Sequence, residues 1–211
     1  MTLSVQNIDS ESTVRPRPLT TQIHFFQSEL RWMFLEFWNE AVAESNSENT
    51  LAIKRFSFGY HSRQEALAKF TDEKKPSPWV QPQVVRDNQL PEQAKSWKEL
   101  LLQFATGIPT DLSTLPIDKA HLTEFGQQVS QACREIVWGQ TRSYGQLAVL
   151  VGSPNASRAV GGVMARNRFP LIVPCHRVMA SNGSLCGFSA ADGLEMKKRL
   201  LQNESSSLFK I

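Results

Sequence analysis

A cysteine stands directly before a histidine and an arginine in Leu171-Ile172-Val173-Pro174-Cys175-His176-Arg177-Val178. A thiolate is a nucleophile and an imidazole can take a thiol proton, so the pair holds the parts for covalent chemistry at sulfur. The alternative is a core cysteine, a common place for that residue type. A purely apolar core, however, would not tolerate His176 and Arg177 unpaired. The flanking residues predict how Cys175 is held. Leu171, Ile172 and Val173 read as a buried extended segment. Pro174 fixes φ and has no N–H to donate, so a regular ladder should stop there. Cys175 then lies where a packed segment meets an irregular one. Pro-Cys-His by itself leaves both readings open.

The surrounding elements decide what such a thiol could meet. Thr123 is placed to cap a helix in which Phe125, Val129, Ala132, Cys133, Ile136 and Val137 recur at helical spacing, putting Cys133 in the core. Ser143 caps a second helix from Tyr144 to Leu150, Gly152 turns the chain, and Pro154 opens a third, expected to run over 155–165. Two short helices joined by a glycine turn predict a helix-turn-helix, although a packed helical hairpin uses the same grammar. Gly161 and Gly162 weaken that third helix by roughly 1 kcal/mol each, which predicts another backbone in close approach. Ser181-Asn182-Gly183 predicts a tight turn and a short wing between Val178-Met179 and Leu185. Asp192 is placed to cap a last helix that packs through Leu194, Leu200 and Leu201 and ends near Glu204.

Charge singles out the same region. Residues 136–191 contain no Asp or Glu but carry Arg142, Arg158, Arg166, Arg168 and Arg177, although the chain as a whole is only +3. A generic solvated face mixes signs, so this window predicts a surface for a polyanion. Guanidinium groups suit bidentate or inserted contacts.

The N-terminal half reads differently. Residues 1–20 are polar with Pro16 and Pro18, an expected disordered lead-in. Ile23 to Phe26, Trp32 to Trp38 and Leu51 to Phe58 predict a three-stranded antiparallel meander, with the polar Glu44 to Asn49 between the second and third strands and Gly59 ending it. Ser62 caps a helix at 63–70, 71–82 is expected to be a loop, and Pro91 opens a helix that runs to Gly107. His24, His61 and His121 have no ligand-type partners and are read as ordinary histidines. Three cysteines without a CxxC pair give neither a disulfide framework nor a zinc pattern, so no metal is expected. No apolar run of membrane-spanning length occurs and the start lacks a signal-peptide core, which predicts a cytoplasmic protein with no membrane partner.

Taken together, residues 123–204 resemble the catalytic domain of the O6-alkylguanine-DNA alkyltransferases, also called methylated-DNA–protein-cysteine methyltransferases. The resemblance rests on Ser143-Tyr144-Gly145-Gln146-Leu147-Ala148, Ser157-Arg158-Ala159-Val160-Gly161-Gly162, Asn167, Pro174-Cys175-His176-Arg177-Val178, Gly187-Phe188-Ser189 and Glu204. It implies an α+β protein in which an N-terminal three-stranded sheet with helices (21–107) is joined by a connector (108–122) to a helical DNA-binding domain (123–204) and a tail (205–211). Cys175 would accept the alkyl group, activated by a relay of water, His176 and Glu204 that brings its pKa below 7. Without the resemblance, Glu204 is simply a solvated charge at a helix end.

Arg158 would enter the minor groove and fill the space of a flipped base, with Ser143, Tyr144, Ala159 and Gly161 against the DNA. Tyr144 would also protonate the leaving guanine. Met164, Asn167, Val178, Phe188 and Ser189 would form or support the pocket, the Cys175 and Val178 carbonyls reading the purine amino group. The resemblance further implies a monomer without cofactor that acts on double-stranded DNA containing O6-alkylguanine, with O4-alkylthymine as a further substrate. Phe188 stands where many members have Tyr, residues 190–193 need a small insertion, and Cys186 is expected to narrow the pocket mouth. Two rivals are a non-catalytic sensor of alkylated DNA or winged DNA-binding regulator, and a thiol hydrolase. Retention of Cys175 counts against the first, and the acid-free window against the second.

Overall fold

The computed structural model describes residues 19–38, 51–72 and 80–207. The lead-in to residue 18, the polar stretch 44–49, the middle of the 71–82 loop and the end of the tail (208–211) lie outside the described residues.

Strands β1 (Leu19–Ser28), β2 (Arg31–Trp38) and β3 (Ile53–Tyr60) form the expected antiparallel meander. The sheet has a fourth strand, β4 (Val80–Val84), which runs parallel to β1 and gives the order β3-β2-β1-β4. The expected loop at 71–82 is therefore wrong at its end, and also at its start, because α1 (Arg63–Asp72) continues through Thr71. Pro82 is compatible with a strand here because β4 lies at the sheet edge.

Alternation along β2 sends its side chains into two cores. Met33, Leu35 and Phe37 join the large cluster shared with the C-terminal half, whereas Phe34 joins a smaller one with Tyr60 and Phe70 of α1. A strand buried on both faces needs continuous apolar sequence, and Arg-Trp-Met-Phe-Leu-Glu-Phe-Trp supplies it apart from Glu36. Helix α2 (Glu92–Ala105) covers the first face with Ala94, Trp97, Leu101 and Phe104.

The free edge of β3 is closed by the rest of the chain. Ile53 N–H donates to the Pro116 carbonyl (2.9 Å), Asp118 N–H to Ile53 (2.8 Å), and Phe56 N–H to Arg168 (2.9 Å). These bonds satisfy an edge that would otherwise invite other strands, and they bring the connector and the segment before Cys175 against the sheet.

The C-terminal half contains α3 (Glu124–Arg134), α4 (Tyr144–Leu150), α5 (Ser157–Ala165) and α6 (Gly193–Ser207). Thr123 accepts from Gly126 N–H, and Ser143 forms a reciprocal capping box with Gln146, each such cap contributing about 1 kcal/mol. Helix α3 stops at Arg134, so Val137 is exposed and does not join the core. Helix α5 starts at Ser157, two residues beyond its expected opening, because the residues after Pro154 form a turn.

Three further expectations need correction. The wing is a closed turn, with Ala180 N–H donating to Ser184 (3.1 Å), while Val178–Met179 pairs in parallel with Arg142–Ser143 and makes no hairpin with Leu185. Leu194 is exposed, and α6 packs through Met196, Lys197 and Leu200 and extends past Glu204 to Ser207. The Asp192 carboxylate pairs with Arg31, although the residue does directly precede α6.

Candidate active site

The segment that carries Cys175 is built from tight turns. Leu171 adopts a left-handed conformation (φ 72°), Val173 N–H donates to Phe169 (2.7 Å), and Pro174 sits at φ −76°, ψ 63°. The last pair of angles is an inverse γ-turn, closed by Cys175 N–H on the Val173 carbonyl at 2.7 Å. A single 3-10 turn, Cys175–Arg177, follows. Proline presets that geometry, but the extended segment expected before it is absent, since Leu171 and Ile172 form a turn and Val173 makes only an isolated bridge with Pro170.

Asn167 fixes the thiol from the side. Its Nδ2 donates both to the Val173 carbonyl (2.9 Å) and to Cys175 Sγ (3.2 Å), while its Oδ1 accepts from Phe169 N–H (2.9 Å). Cys175 lies at the wall of a cavity of about 210 Å³ formed by Tyr144, Gly161, Met164, Ala165, Gly187, Phe188 and Ser189. The helix-turn-helix supplies one side of that cavity and the loop after the turn at 180–184 supplies the other. A larger cavity of about 350 Å³ lies against Pro174 and Arg177 and does not include Cys175. Of these two cavities, Cys175 borders the smaller.

Behind this wall lies a buried charge network. His176 is fully buried, and its Nε2 meets Glu204 Oε1 at 2.8 Å. Arg177 clamps the same carboxylate through Nε (3.1 and 3.0 Å) and Nη2 (2.9 Å), and its Nη1 donates to the Ile136 carbonyl (2.6 Å). Gly139 N–H adds a bond to Glu204 Oε2 at 3.1 Å. Burial alone would raise the Glu204 carboxyl, but His176 and Arg177 outweigh it and hold it at about 2.

An ionised Glu204 only accepts, which assigns the proton between the pair to His176 Nε2. Burial lowers the His176 pKa against the pull of Glu204, so the ring is neutral at pH 7. Its Nδ1 is then the basic nitrogen, and it is buried with no hydrogen-bond partner among the described residues. Burial also raises the Cys175 thiol, against the opposing bond from Asn167, so the expected resting thiolate is not what this arrangement favours.

Of the other residues singled out from sequence, Tyr144, Gly161, Met164, Phe188 and Ser189 line the cavity with Cys175. Val178 and Asn167 do not line it. Val178 is buried, and its carbonyl accepts from Lys197 Nζ at 2.6 Å. The Cys186 side chain is also absent from the wall, its Sγ lying 4.0 Å from the Ser184 carbonyl, so it does not narrow the mouth as expected. Ser143 is half-buried at the start of α4, whereas Arg158 and Ala159 are exposed on α5.

No backbone approaches Gly161 and Gly162 as their spacing predicts. A β-carbon on Gly161 would lie 4.0 Å from the Tyr144 ring, and one on Gly162 would lie 3.6 Å from the Arg166 guanidinium. Arg177 is buried and paired, so the acid-free window offers Arg142, Arg158, Arg166 and Arg168 to solvent.

Lys197 was missed from sequence. It is fully buried, and its ammonium donates to the Val178 carbonyl and, at 2.9 Å, to that of Cys186, tying the two ends of the turn together. Its signal was a lysine one turn before Leu200 on the apolar face of α6, which a solvated lysine would avoid.

Fold and site together define a helix-turn-helix domain in which a cysteine at a cavity wall is followed by a carboxylate-bonded histidine. Residues 124–206 match the family model described as 6-O-methylguanine DNA methyltransferase, DNA binding domain. The segment is 50% identical over 84 residues to a methylated-DNA–protein-cysteine methyltransferase of Methanosarcina acetivorans, covering 40% of this chain and 53% of that protein. It is 50% identical over 87 residues to the Mycobacterium leprae protein of the same name, covering 41% and 52%. The chain thus spans about half the length of these relatives. The crystal structure of the Mycobacterium tuberculosis O6-methylguanine methyltransferase superposes with a TM-score of 0.62 at 25% identity, over 88% of this chain and 93% of that one. Over residues 124–206 the chain is similar to the methylated-DNA–protein-cysteine methyltransferases, and its fold is similar to that of the Mycobacterium tuberculosis O6-methylguanine methyltransferase.

Proposed function

We propose that the protein repairs DNA by transferring an alkyl group from O6 of guanine, and from O4 of thymine, to Cys175. The observation that carries this reading is a thiol opening into a cavity between a helix-turn-helix and a loop, with a neutral, carboxylate-oriented histidine adjacent in the chain. A free thiol of ordinary pKa is only about 3% ionised at pH 7, and Cys175 lies below that. Proton removal is therefore part of the reaction. His176 Nδ1 takes the thiol proton through a bridging water, while Glu204 stabilises the imidazolium that forms.

The thiolate attacks the alkyl carbon, so an S–C bond forms as the C–O bond breaks. The base leaves with the electron pair and takes a proton from Tyr144, whose hydroxyl is kept protonated by burial. The thioether is not reversed by ordinary thiols, so each molecule reacts once. Because the susceptible atom lies within a stacked duplex, the nucleotide must rotate out, at a cost of a few kcal/mol. Arg158 is exposed on α5, where its aliphatic stem can fill the vacated stack while its head finds acceptors. Ser143, Ala159 and Gly161 lie along the same two helices and would face the DNA, and the protein would act as a monomer on double-stranded DNA without a cofactor.

The test is direct. After incubation with a duplex containing O6-methylguanine, the peptide containing Cys175 should gain the mass of one methyl group in place of hydrogen. An unchanged mass refutes transfer.

A further inference from the structure

The loop that forms one wall of the cavity is fastened to the N-terminal sheet. Phe188 meets Phe58 of β3 edge-on, with ring centroids 6.3 Å apart. Gly59 packs so closely on the next turn of chain that a β-carbon there would lie 3.2 Å from the Ala191 β-carbon. At the end of the loop, Arg31 Nη1 forms an ion pair with Asp192 Oδ2. His61 Nε2 sits 2.8 Å from the same Arg31 nitrogen and 3.6 Å from Asp192 Oδ1.

Both members of the ion pair have unusual backbones. Arg31 has φ 72° and Asp192 has φ 66°, and among the described residues only Leu171 shares that conformation without being glycine. Glycine would fill the left-handed position in the β1–β2 turn with less strain. A long cation held there, facing a carboxylate held the same way, points to a contact retained for a purpose other than folding. Asp192 lies within the 190–193 stretch, which the resemblance accommodates only with a small insertion.

We infer that Arg31 and Asp192 form a latch that holds the 187–193 loop and thereby sets the size of alkyl adduct the cavity accepts. The inference rests on reading the cavity as the pocket for the alkylated base. Neither residue touches the reacting atoms. They are positioning residues, acting on substrate range through Phe188 and Ser189. A methyl adduct fits the wall where it stands, whereas a benzyl adduct requires the wall to move outward against the latch.

Three variants of the full chain test this: Arg31→Gly, Asp192→Asn, and the charge swap Arg31→Asp with Asp192→Arg. Glycine and asparagine suit left-handed backbone, so Tm should be unchanged or higher in the single variants. Amide hydrogen exchange over 187–193 should accelerate about fivefold in each, in keeping with a partly exposed ion pair. The ratio of transfer rates from O6-benzylguanine and O6-methylguanine duplexes should rise by a similar factor, with the methyl rate unchanged. The charge swap should return both readouts toward wild type. Unchanged exchange in both single variants, or failure of the swap to restore it, overturns the latch. Accelerated exchange with an unchanged rate ratio overturns its role in substrate range. A wild-type protein that transfers neither adduct overturns the functional reading instead, while the exchange measurement still decides whether the latch exists.

Discussion

Each half of the molecule buries a carboxylate against an arginine. In the sheet, Glu36 accepts from Thr21 Oγ1 (2.9 Å) and lies 3.4 Å from Arg55 Nε, with the guanidinium packed between the rings of Phe34 and Phe70. In the helical half, Glu204 is clamped by Arg177 and also bonded to His176. Removing two charges from water is expensive, so neither pair is strong evidence of added stability. The difference lies in the third partner. A threonine hydroxyl does not change its charge at neutral pH, so it gives the Glu36 group no titratable partner to orient. An imidazole can be neutral or charged, and His176 directly follows the thiol. The same buried pair becomes an orienting device for a base when its extra hydrogen bond goes to a titratable ring.

The contrast can be broken by mutation. The largest effect is expected from Cys175→Ser, which removes the acceptor: no methylated protein should form, and circular dichroism should report an unchanged fold. Next, Glu204→Gln and Glu36→Gln should each destabilise by about 3–5 kcal/mol in urea titrations, because each strands a buried guanidinium. Per folded molecule, however, Glu204→Gln should slow transfer about 100-fold or more, and Glu36→Gln should leave it unchanged. Equal rate losses would erase the distinction between the two pairs.

Arg158→Ala tests the exposed face. It should weaken reaction with duplex by at least about tenfold and barely change reaction with free O6-alkylguanine base, since only the duplex needs a filled stack. Equal losses would remove Arg158 from that role.

Acid should separate the two regions with a smaller effect. Glu204 ordinarily titrates near 4.5 and is held at about 2 here, so its contribution is present above 4.5 and lost as pH falls towards 2. It is worth about 3 kcal/mol at neutral pH. The pKa of His176 is lowered from 6.5, so protonation favours the unfolded chain and its loss of stability begins below that pH. Both changes have the same sign. Stability followed from pH 7 to pH 3 should fall, and the fall should be shallower in Glu204→Gln than in wild type.

Much of the site was legible because it is local. Pro174 set the tight turn before the thiol, Thr123, Ser143 and Ser62 capped their helices, and Cys175 and His176 were adjacent in the chain, although the extended segment expected at 171–173 is a turn. Strand β4 was missed because its pairing with β1 is parallel and non-local, and Pro82 is permitted only by an edge that sequence does not reveal. Lys197 was legible only as an anomaly on an apolar face. Its two carbonyl acceptors, Val178 and Cys186, could not be inferred from helical spacing.

What the sequence by itself determined is therefore the adjacency of Cys175 and His176 and the two helices in front of them, because caps and turn formers act over a few positions. Tertiary structure alone decided the electrostatics. Glu204 follows His176 by 28 residues, and only folding makes it the ring's partner, places Arg177 on the same carboxylate, and buries the thiol enough to raise its pKa. Only folding brings Arg31 to Asp192, 161 residues away. Charge energies depend on distance and desolvation, and neither quantity exists until the chain has closed around them.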